Sequence, residues 1–138
     1  MAEQIKLEIV TPDKMVLSED VDIVVATATE GEFGVLHGHI PFLTTLQTGE
    51  LRYRQANSLH YVAVSGGFAE VSDDKVTILA ESAEHGREID LDRAQSARER
   101  AEQRIAQSRE AELDFVRAEA ALRRAMVRIK VAEKHSGL

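Results

Sequence analysis

The sequence from residue 90 to residue 134 contains neither glycine nor proline, although the chain has eight glycines and two prolines elsewhere. These are the two residue types that most often break a helix, so nothing in this stretch interrupts one. Alanine, glutamate, glutamine and arginine dominate the stretch, and all four favour helices. We therefore predict that it is helical, with a split at the polar residues 107–112.

Apolar residues recur in this stretch at the three- and four-residue spacing of an amphipathic helix. The two stripes are Leu91, Ala94, Ala101 and Ile105 before the split, and Phe115, Ala118, Leu122, Met126 and Ile129 after it. We expect the two helices to fold as an antiparallel hairpin, although the lack of a breaker also permits one long helix. Alanine buries little area, at about 25 cal/mol per Å², so the hairpin should be held weakly to itself and to the rest of the chain.

The arginines of the helical stretch fall into two sets with one spacing, i, i+7 and i+11. The sets are Arg93, Arg100 and Arg104, and Arg117, Arg124 and Arg128. Each set lines one helix face, and two such faces side by side would offer guanidinium groups to phosphate. Solvated helix faces with interspersed glutamates are the alternative interpretation of the same spacing.

The first 80 residues show the period-two alternation of β-strands, interrupted by frequent turn residues. The predicted strands are 4–10, 15–17, 21–28, 42–46, 51–55, 59–64, 68–71 and 76–80. We predict turns at 18–20 and 30–34, a hairpin loop at 56–58, and Val21, Ile23 and Val25 on one strand face. Residues 81–88 lose the alternation and are interpreted as a hinge.

These patterns predict an α+β chain in two parts. Residues 1–85 form a flattened β-sandwich or barrel of short strands, and residues 88–138 form a C-terminal two-helix antiparallel hairpin. The net charge is −7, and residues 1–85 carry fourteen acidic against five basic side chains, which argues against nucleic acid as a partner. The chain has no cysteine, which is typical of a reducing compartment, and no apolar run that could span a bilayer.

No catalytic motif is present in the sequence. Phosphate-binding glycine loops are missing, and Ser65 lacks the preceding glycine of a nucleophile elbow. His37 and His39 could ligate a metal together with His60 or His85. The alternative to a binding protein is therefore a small metal-using jelly-roll enzyme.

Several motifs in order resemble the epsilon subunit of bacterial F-type ATP synthases. They are EGEFGVLHGHIP at 30–41, SGGFAEV at 65–71, KVTILA at 75–80 and IDLDRA at 89–94, followed by Asp114-Phe115 and Arg124-Ala125-Met126. The resemblance covers nearly the whole chain. It implies a non-catalytic subunit of the central rotor stalk, which couples proton flow to ATP synthesis at the cytoplasmic face of the bacterial inner membrane.

The same resemblance implies partners and contact residues. The sandwich would meet the gamma subunit and the c-subunit ring, and the membrane would be reached only through the complex. The implied contact residues are Gly31, Glu32, Phe33, Gly38, His39 and Pro41. The extended hairpin would reach the alpha and beta subunits and inhibit ATP hydrolysis, through Arg117, Arg123, Lys130 and Lys134.

The resemblance also implies a regulatory ligand. No cofactor is required, but the folded hairpin of some family members binds one ATP. The implied nucleotide-binding residues are Glu84, Ile89, Asp90, Arg93, Ala94, Arg100, Arg124 and Arg128, with Arg104 and Arg117 in support. ATP would then favour the folded state over the extended one.

Overall fold

The computed structural model describes residues 3–108 and 113–137. Its strands are β1 (Ile5–Val10), β2 (Met15–Val21), β3 (Ile23–Ala28), β4 (Gly31–Val35), β5 (Phe42–Thr45), β6 (Gly49–Gln55), β7 (Ser58–Ser65), β8 (Phe68–Ser72), β9 (Lys75–Leu79) and β10 (Ser82–His85). A 3₁₀ helix (Gly86–Glu88) leads into helices α1 (Leu91–Gln107) and α2 (Leu113–His135). The predicted fold class, a β-sandwich followed by two helices, is confirmed.

Within the described residues, the strands form two five-stranded sheets. The first sheet has the order β2-β1-β9-β8-β5 and the second β10-β7-β6-β3-β4. All neighbours are antiparallel except β1 and β9, which run parallel. The two inner faces form one apolar core, in which Ile5, Leu7, Ile9, Val24, Leu51, Val62, Val76 and Ile78 are at most 1% exposed. Each such side chain contributes about 1.5–3 kcal/mol by its burial, so the sandwich is the stable body of the molecule.

Tight turns join two pairs of strands through residues with a positive φ, three of which are asparagine or aspartate, types enriched in this conformation. Ala56 and Asn57 have φ of 51° and 66°, and they close the hairpin between β6 and β7. Asp73 and Asp74 do the same between β8 and β9. Two consecutive positive φ values give a turn whose twist matches that of the strands. The loop predicted at 56–58 is confirmed at 56–57, while Ser58 begins β7.

Three predictions about the strands are wrong. Residues 18–20 continue β2, because they pair with β1, and residues 31–34 form most of β4 rather than a turn. Ile23 and Val25 share the less buried face of β3, opposite the buried Val24, Ala26 and Ala28, but Val21 belongs to β2 and not to this strand. The segment Ile23-Val24-Val25 is apolar throughout, and its alternation therefore could not identify the buried side.

The predicted hinge at 81–88 is largely structured. Residues 82–85 form β10, which pairs with β7 and places Glu84 opposite Ala63. The 3₁₀ helix follows directly, and Asp90 then caps α1 by accepting a hydrogen bond from the Arg93 backbone N–H at 3.1 Å. A short edge strand without alternation is held by its backbone pairing, which a hydrophobic pattern does not report.

The two helices pack through alanine. Ala94 and Ala101 of α1 and Ala118 and Ala125 of α2 are at most 2% exposed, as the predicted seam requires. Met126 was predicted to join the stripe but is 53% exposed, because Ala125 occupies the seam instead. Residues 109–112 of the predicted split lie outside the described residues. α2 packs on β6, β7 and the 3₁₀ helix, whereas α1 packs mainly on α2.

Candidate functional site

A cavity of about 360 Å³ lies between the second sheet and α2. Its lining residues are Lys14, Thr48, Ala63, Val64, Ser65, Ser82, Ala83, Glu84, Glu88, Arg124, Val127 and Arg128. The wall is partly apolar and carries three cationic and two carboxylate side chains. This composition suits an organic anion, with a flat apolar part against the alanines and valines and phosphate against the cations.

Two elements bring the charges of the cavity together. Arg124 and Arg128 are one helical turn apart, so they lie on the same face of α2. Glu84 projects from β10 toward that face, and its Oε1 accepts a hydrogen bond from Arg128 Nε at 2.8 Å. The predicted residues Glu84, Arg124 and Arg128 are therefore assembled. A phosphate entering the cavity would meet Arg124 directly and would compete with Glu84 for Arg128.

The other predicted nucleotide residues lie elsewhere. Arg93 and Arg100 line a separate shallow depression on α1 with Asp92 and Ser96. Arg104 and Arg117 line another depression, at the end of the hairpin farther along α1. Asp90 is committed to capping α1, Ala94 is buried in the seam, and the Ile89 backbone N–H bonds to the Gly86 carbonyl oxygen. The structure thus divides the two arginine sets among three places.

Sequence reasoning missed Lys14 and Glu88 of the cavity wall. Lys14 lies in the turn between β1 and β2, far along the chain from the helical hairpin. Its neighbours Pro12 and Asp13 indicate only a turn, and nothing local relates it to α2. The sandwich topology brings it to the cavity, so no sequence signal could have found it.

A second carboxylate meets α2 beside Glu84. Glu50 of β6 and Glu84 of β10 both pair with Ala63 of β7, which puts the three residues in one row across the sheet. Glu50 is 7% exposed, and Lys134 Nζ lies 2.7 Å from its Oε1. The ammonium is poorly aligned for a hydrogen bond, so charge attraction holds this pair. Arg52 Nη1 contacts the other oxygen of Glu50 at 3.3 Å.

Of the four residues predicted to make inhibitory contacts, one is bound to the sandwich and three are exposed. Lys134 is paired with Glu50, so this residue must leave the sandwich before it can meet another subunit. Arg123 is exposed and lies 3.9 Å from Glu119, one turn away on the same helix. Arg117 and Lys130 are also exposed. Arg123, Arg117 and Lys130 are therefore accessible while the hairpin is folded.

Aromatic and histidine rings cluster where the end of α2 meets the sandwich. Tyr53 stacks on His60 with ring centroids 5.0 Å apart, and the His85 ring lies 5.8 Å from His60 and 6.1 Å from His135. His85 is 2% exposed. Burial, and then the nearby Arg87, lower the pKa of His85 to about 4. This imidazole is neutral at physiological pH.

The predicted partner contacts lie on β4, which is the edge strand of the second sheet opposite β10, and in the loop between β4 and β5. Glu32 accepts a hydrogen bond from Arg52 at 2.9 Å, which lowers the pKa of its carboxyl group, and the Phe33 ring packs edge-on against Phe42. Gly38 donates its N–H to Asp74 Oδ1 at 2.7 Å. Gly31, His39 and Pro41 complete the set. Around them Leu36, Ile40 and Leu43 are 58%, 74% and 68% exposed, which defines an exposed apolar patch. Such patches mark interaction surfaces.

The histidines considered as metal ligands are not brought together. His37 contacts the carboxylates of Glu3 and Asp74 at 2.7 and 3.0 Å, and His39 Nδ1 lies 2.6 Å from its neighbour's carbonyl oxygen. His60 and His85 belong to the ring cluster at the end of α2. Residues 3–108 and 113–137 contain no group of three histidine, cysteine or acidic side chains that could hold a metal.

The fold and site define a class of protein: a stable sandwich with a two-helix appendage, a cationic cavity between them, and an exposed apolar patch on the body. Residues 4–86 match the family model of the ATP synthase delta/epsilon chain beta-sandwich domain. Residues 87–133 match the family model of the delta/epsilon chain long alpha-helix domain. None of the helices in the described ranges is long and apolar enough to cross a membrane.

Known relatives agree with these matches. The ATP synthase epsilon chain of Syntrophobacter fumaroxidans is 63% identical, over 97% of this chain and 99% of the relative. That of Nitratidesulfovibrio vulgaris is 60% identical, over 95% and 97%. A chain in the Euglena gracilis mitochondrial ATP synthase structure, which comprises OSCP, F1 and the c-ring, superposes with a TM-score of 0.79 at 28% identity, over 100% of this chain and 84% of that one.

The chain belongs to the ATP synthase delta/epsilon chain family, with the role of an epsilon subunit and no catalytic centre of its own. The resemblance found in the sequence and the predicted non-catalytic role are confirmed. Family membership does not favour the metal-using jelly-roll enzyme.

Proposed function

We propose that this epsilon subunit turns with the central stalk and that its hairpin is a nucleotide-sensitive brake on ATP hydrolysis. The sandwich would dock on the gamma subunit and the c-subunit ring through the exposed apolar patch and the contact residues around it. The subunit would thereby lie at the cytoplasmic face of the bacterial inner membrane and would reach the membrane only through the complex. The observation that carries this proposal is the cavity between the sandwich and α2, because it exists only while the hairpin is folded.

The exposed apolar patch supports the docking part of the proposal. Leu36, Ile40 and Leu43 are exposed apolar side chains in the same part of the chain as the Phe33–Phe42 pair. Removing such side chains from water favours association by about 25 cal/mol per Å². Arg117, Arg123 and Lys130 of the hairpin are exposed and would remain available to the alpha and beta subunits, whereas Lys134 is paired with Glu50.

The cavity supports ATP as the regulatory ligand. Arg124, Arg128 and Lys14 come from both sides of the cleft, so a bound triphosphate would link α2 to the body. A ligand that binds only the folded state stabilises it by RT ln(1 + [L]/Kd), about 2.7 kcal/mol at a hundredfold excess over Kd. Without the nucleotide, the helices would extend toward the alpha and beta subunits, and Lys134 would leave Glu50.

Nucleotide binding is tested by titrating the isolated chain with ATP in calorimetry. Arg124→Ala removes a guanidinium from the cavity wall and should weaken binding about tenfold or more, since an ionic hydrogen bond is worth about 1.5–3 kcal/mol. Arg123→Ala is the matched control. Arg123 is the preceding residue of the same helix, and its side chain is exposed and does not line the cavity. Equal loss in both variants, or no binding by the native chain at millimolar ATP, would contradict the site.

The braking function is tested in the purified ATP synthase. A stop codon that removes residues 88–138 keeps β10 and the whole sandwich, including the apolar patch. We expect the truncated subunit to assemble and the ATPase activity of the complex to rise. Unchanged ATPase activity in a fully assembled complex would refute the inhibitory role of the hairpin.

A further inference from the structure

The ring cluster at the end of α2 joins two parts of the molecule. Tyr53, His60 and His85 belong to β6, β7 and β10, whereas His135 is the last residue of α2. The His85 and His135 rings meet edge to face, at an interplanar angle of 85°. Undocking α2 therefore removes one wall of the site in which His85 is buried.

The hydrogen bonds of His85 fix its protonation state. The Arg87 backbone N–H donates to Nδ1 at 3.2 Å, so Nδ1 carries no proton. The proton of the neutral ring is then on Nε2, which donates to Tyr53 Oη at 3.2 Å. A second proton could bind only at Nδ1, where it would face another N–H. Protonation therefore breaks the cap of the 3₁₀ helix.

The charges around His85 also disfavour a cation. Arg87 of the 3₁₀ helix, His60 of β7 and His135 of α2 all oppose protonation, and Glu88 alone favours it. Tyr53 of β6 is a buried hydroxyl whose pKa is itself raised by burial. The geometry and the surroundings agree that docked His85 is neutral, because burial and like charges both penalise the imidazolium ion.

The end of α2 packs on the residue next to His85, so the same packing that docks the helix also buries His85. Gly86 follows His85, and a Cβ placed on it would lie 2.9 Å from His135 Cβ and 3.2 Å from the Tyr61 carbonyl oxygen. The helix end therefore rests directly on backbone beside the imidazole. The adjacent Lys134 holds Glu50. If α2 leaves, water reaches His85 and the main cause of its low proton affinity disappears.

We propose that His85 is a proton-sensitive latch, which holds the end of α2 on the sandwich while the ring is neutral and releases it when the ring takes up a proton. The contribution of His85 to docking is then fully present above about pH 6.5, the pKa of an ordinary histidine, and is lost as the pH falls from there toward 4. Within this window each pH unit shifts the equilibrium toward the undocked state by up to tenfold. The latch needs no nucleotide, and only its consequence for hydrolysis rests on the proposed function.

The test measures docking directly in the full chain. The chain has no cysteine, so dyes can be attached at Ser58→Cys on the sandwich and Gln103→Cys on α1, both exposed positions. Energy transfer between the dyes is followed from pH 8 to pH 5 without ATP, with circular dichroism to verify that the sandwich stays folded. Carboxylates with ordinary pKa values remain ionised over most of this range, so histidines dominate the titration.

His85→Gln is the decisive variant. A glutamine side chain can accept from the Arg87 N–H and donate to Tyr53 but has no proton to gain. We expect energy transfer to fall on acidification in the native chain and in the His39→Gln control, and to stay constant in His85→Gln. A flat native profile, or the same pH dependence in His85→Gln, would overturn the proposal.

A second measurement covers the case in which His85→Gln does not fold. Nitrogen NMR of the native chain reports the tautomer and pKa of each histidine. The latch requires the neutral Nε2–H tautomer for His85 at pH 7.5 and a pKa well below the ordinary histidine value of about 6.5. A His85 ring that titrates near pH 6.5 in the docked protein would refute it, whatever the variant does.

Discussion

Replacing Gly86 with alanine should push α2 off the sandwich. The new Cβ would lie 2.9 Å from His135 Cβ and 3.2 Å from the Tyr61 carbonyl oxygen. Neither atom is the end of a flexible side chain, since one is fixed to the helix backbone and the other to β7. Non-bonded carbon atoms prefer about 3.5–4.0 Å, so the end of α2 must retreat by about 1 Å.

The magnitude follows from two opposing effects. Overpacking a close contact of this kind costs about 1–3 kcal/mol, whereas replacing glycine stabilises the folded chain by about 0.4–1 kcal/mol through the unfolded state. The second effect acts on the folding of the sandwich, because β10 and the 3₁₀ helix stay ordered in either hairpin state. The docking equilibrium should therefore shift by the overpacking cost alone, about 1–3 kcal/mol, which is a factor of about 5–160.

Hydrogen exchange of the α2 backbone amides is the suitable assay. In Gly86→Ala we expect faster exchange in the last turns of α2 and unchanged protection in β1 and β9. Gly34→Ala is the matched control, because its Cβ would meet Val25 Cγ2 at 3.8 Å and the Val24 carbonyl oxygen at 3.9 Å, both ordinary contacts. Native-like protection of α2 in Gly86→Ala would show that the helix end does not rest on this glycine, and the docking argument would fail with it.

Two further predictions concern single contacts. Gly67→Ala should destabilise the sandwich by more than about 3 kcal/mol in urea unfolding, because its Cβ would lie 1.9 Å from the Leu79 carbonyl oxygen at a φ of +101°. The control Gly38→Ala has a φ of +84° but open space around its Cβ, so it should cost only about 1–2 kcal/mol. Similar losses in the two variants would contradict the steric argument. Lys134→Met removes the charge facing buried Glu50 and should weaken docking by about 1–3 kcal/mol in the energy-transfer assay. Adding Glu50→Gln in a double variant should restore part of this loss. If the effects of the two substitutions on docking simply add, the pair does not couple.

The sequence predicted the parts of the fold that follow from local chemistry. The absence of breakers identified the helices, the alanine stripe identified their seam, and Ala56-Asn57 marked a hairpin turn. The sequence did not predict features that depend on pairing between strands distant in the chain. β10 has no alternation of its own, and in β3 three consecutive apolar residues fit either face equally well.

The candidate site shows the same limit. Equal spacing grouped Arg93 with Arg100 and Arg124 with Arg128, but spacing says only that each pair shares a helix face. Which face meets the sandwich depends on where the alanine seam and Val131 are buried, and that choice brings only the α2 pair to the cavity. Lys14 and Glu50 reach α2 from strands and turns whose neighbours give no hint of a helix above them.

The contacts that hold α2 are concentrated near its end, and this makes the hairpin sensitive to small inputs. Arg128, Lys134 and His135 meet the sandwich within the last two to three turns, around Val131, which is fully buried. A nucleotide at a hundredfold excess over Kd would add about 2.7 kcal/mol to docking, and protonation of His85 would remove up to about 1.4 kcal/mol per pH unit. The two inputs are of similar size and act on one helix end from opposite directions. A fall in pH should therefore raise the ATP concentration needed to keep the hairpin folded, and this follows from linkage even if the two sites never touch.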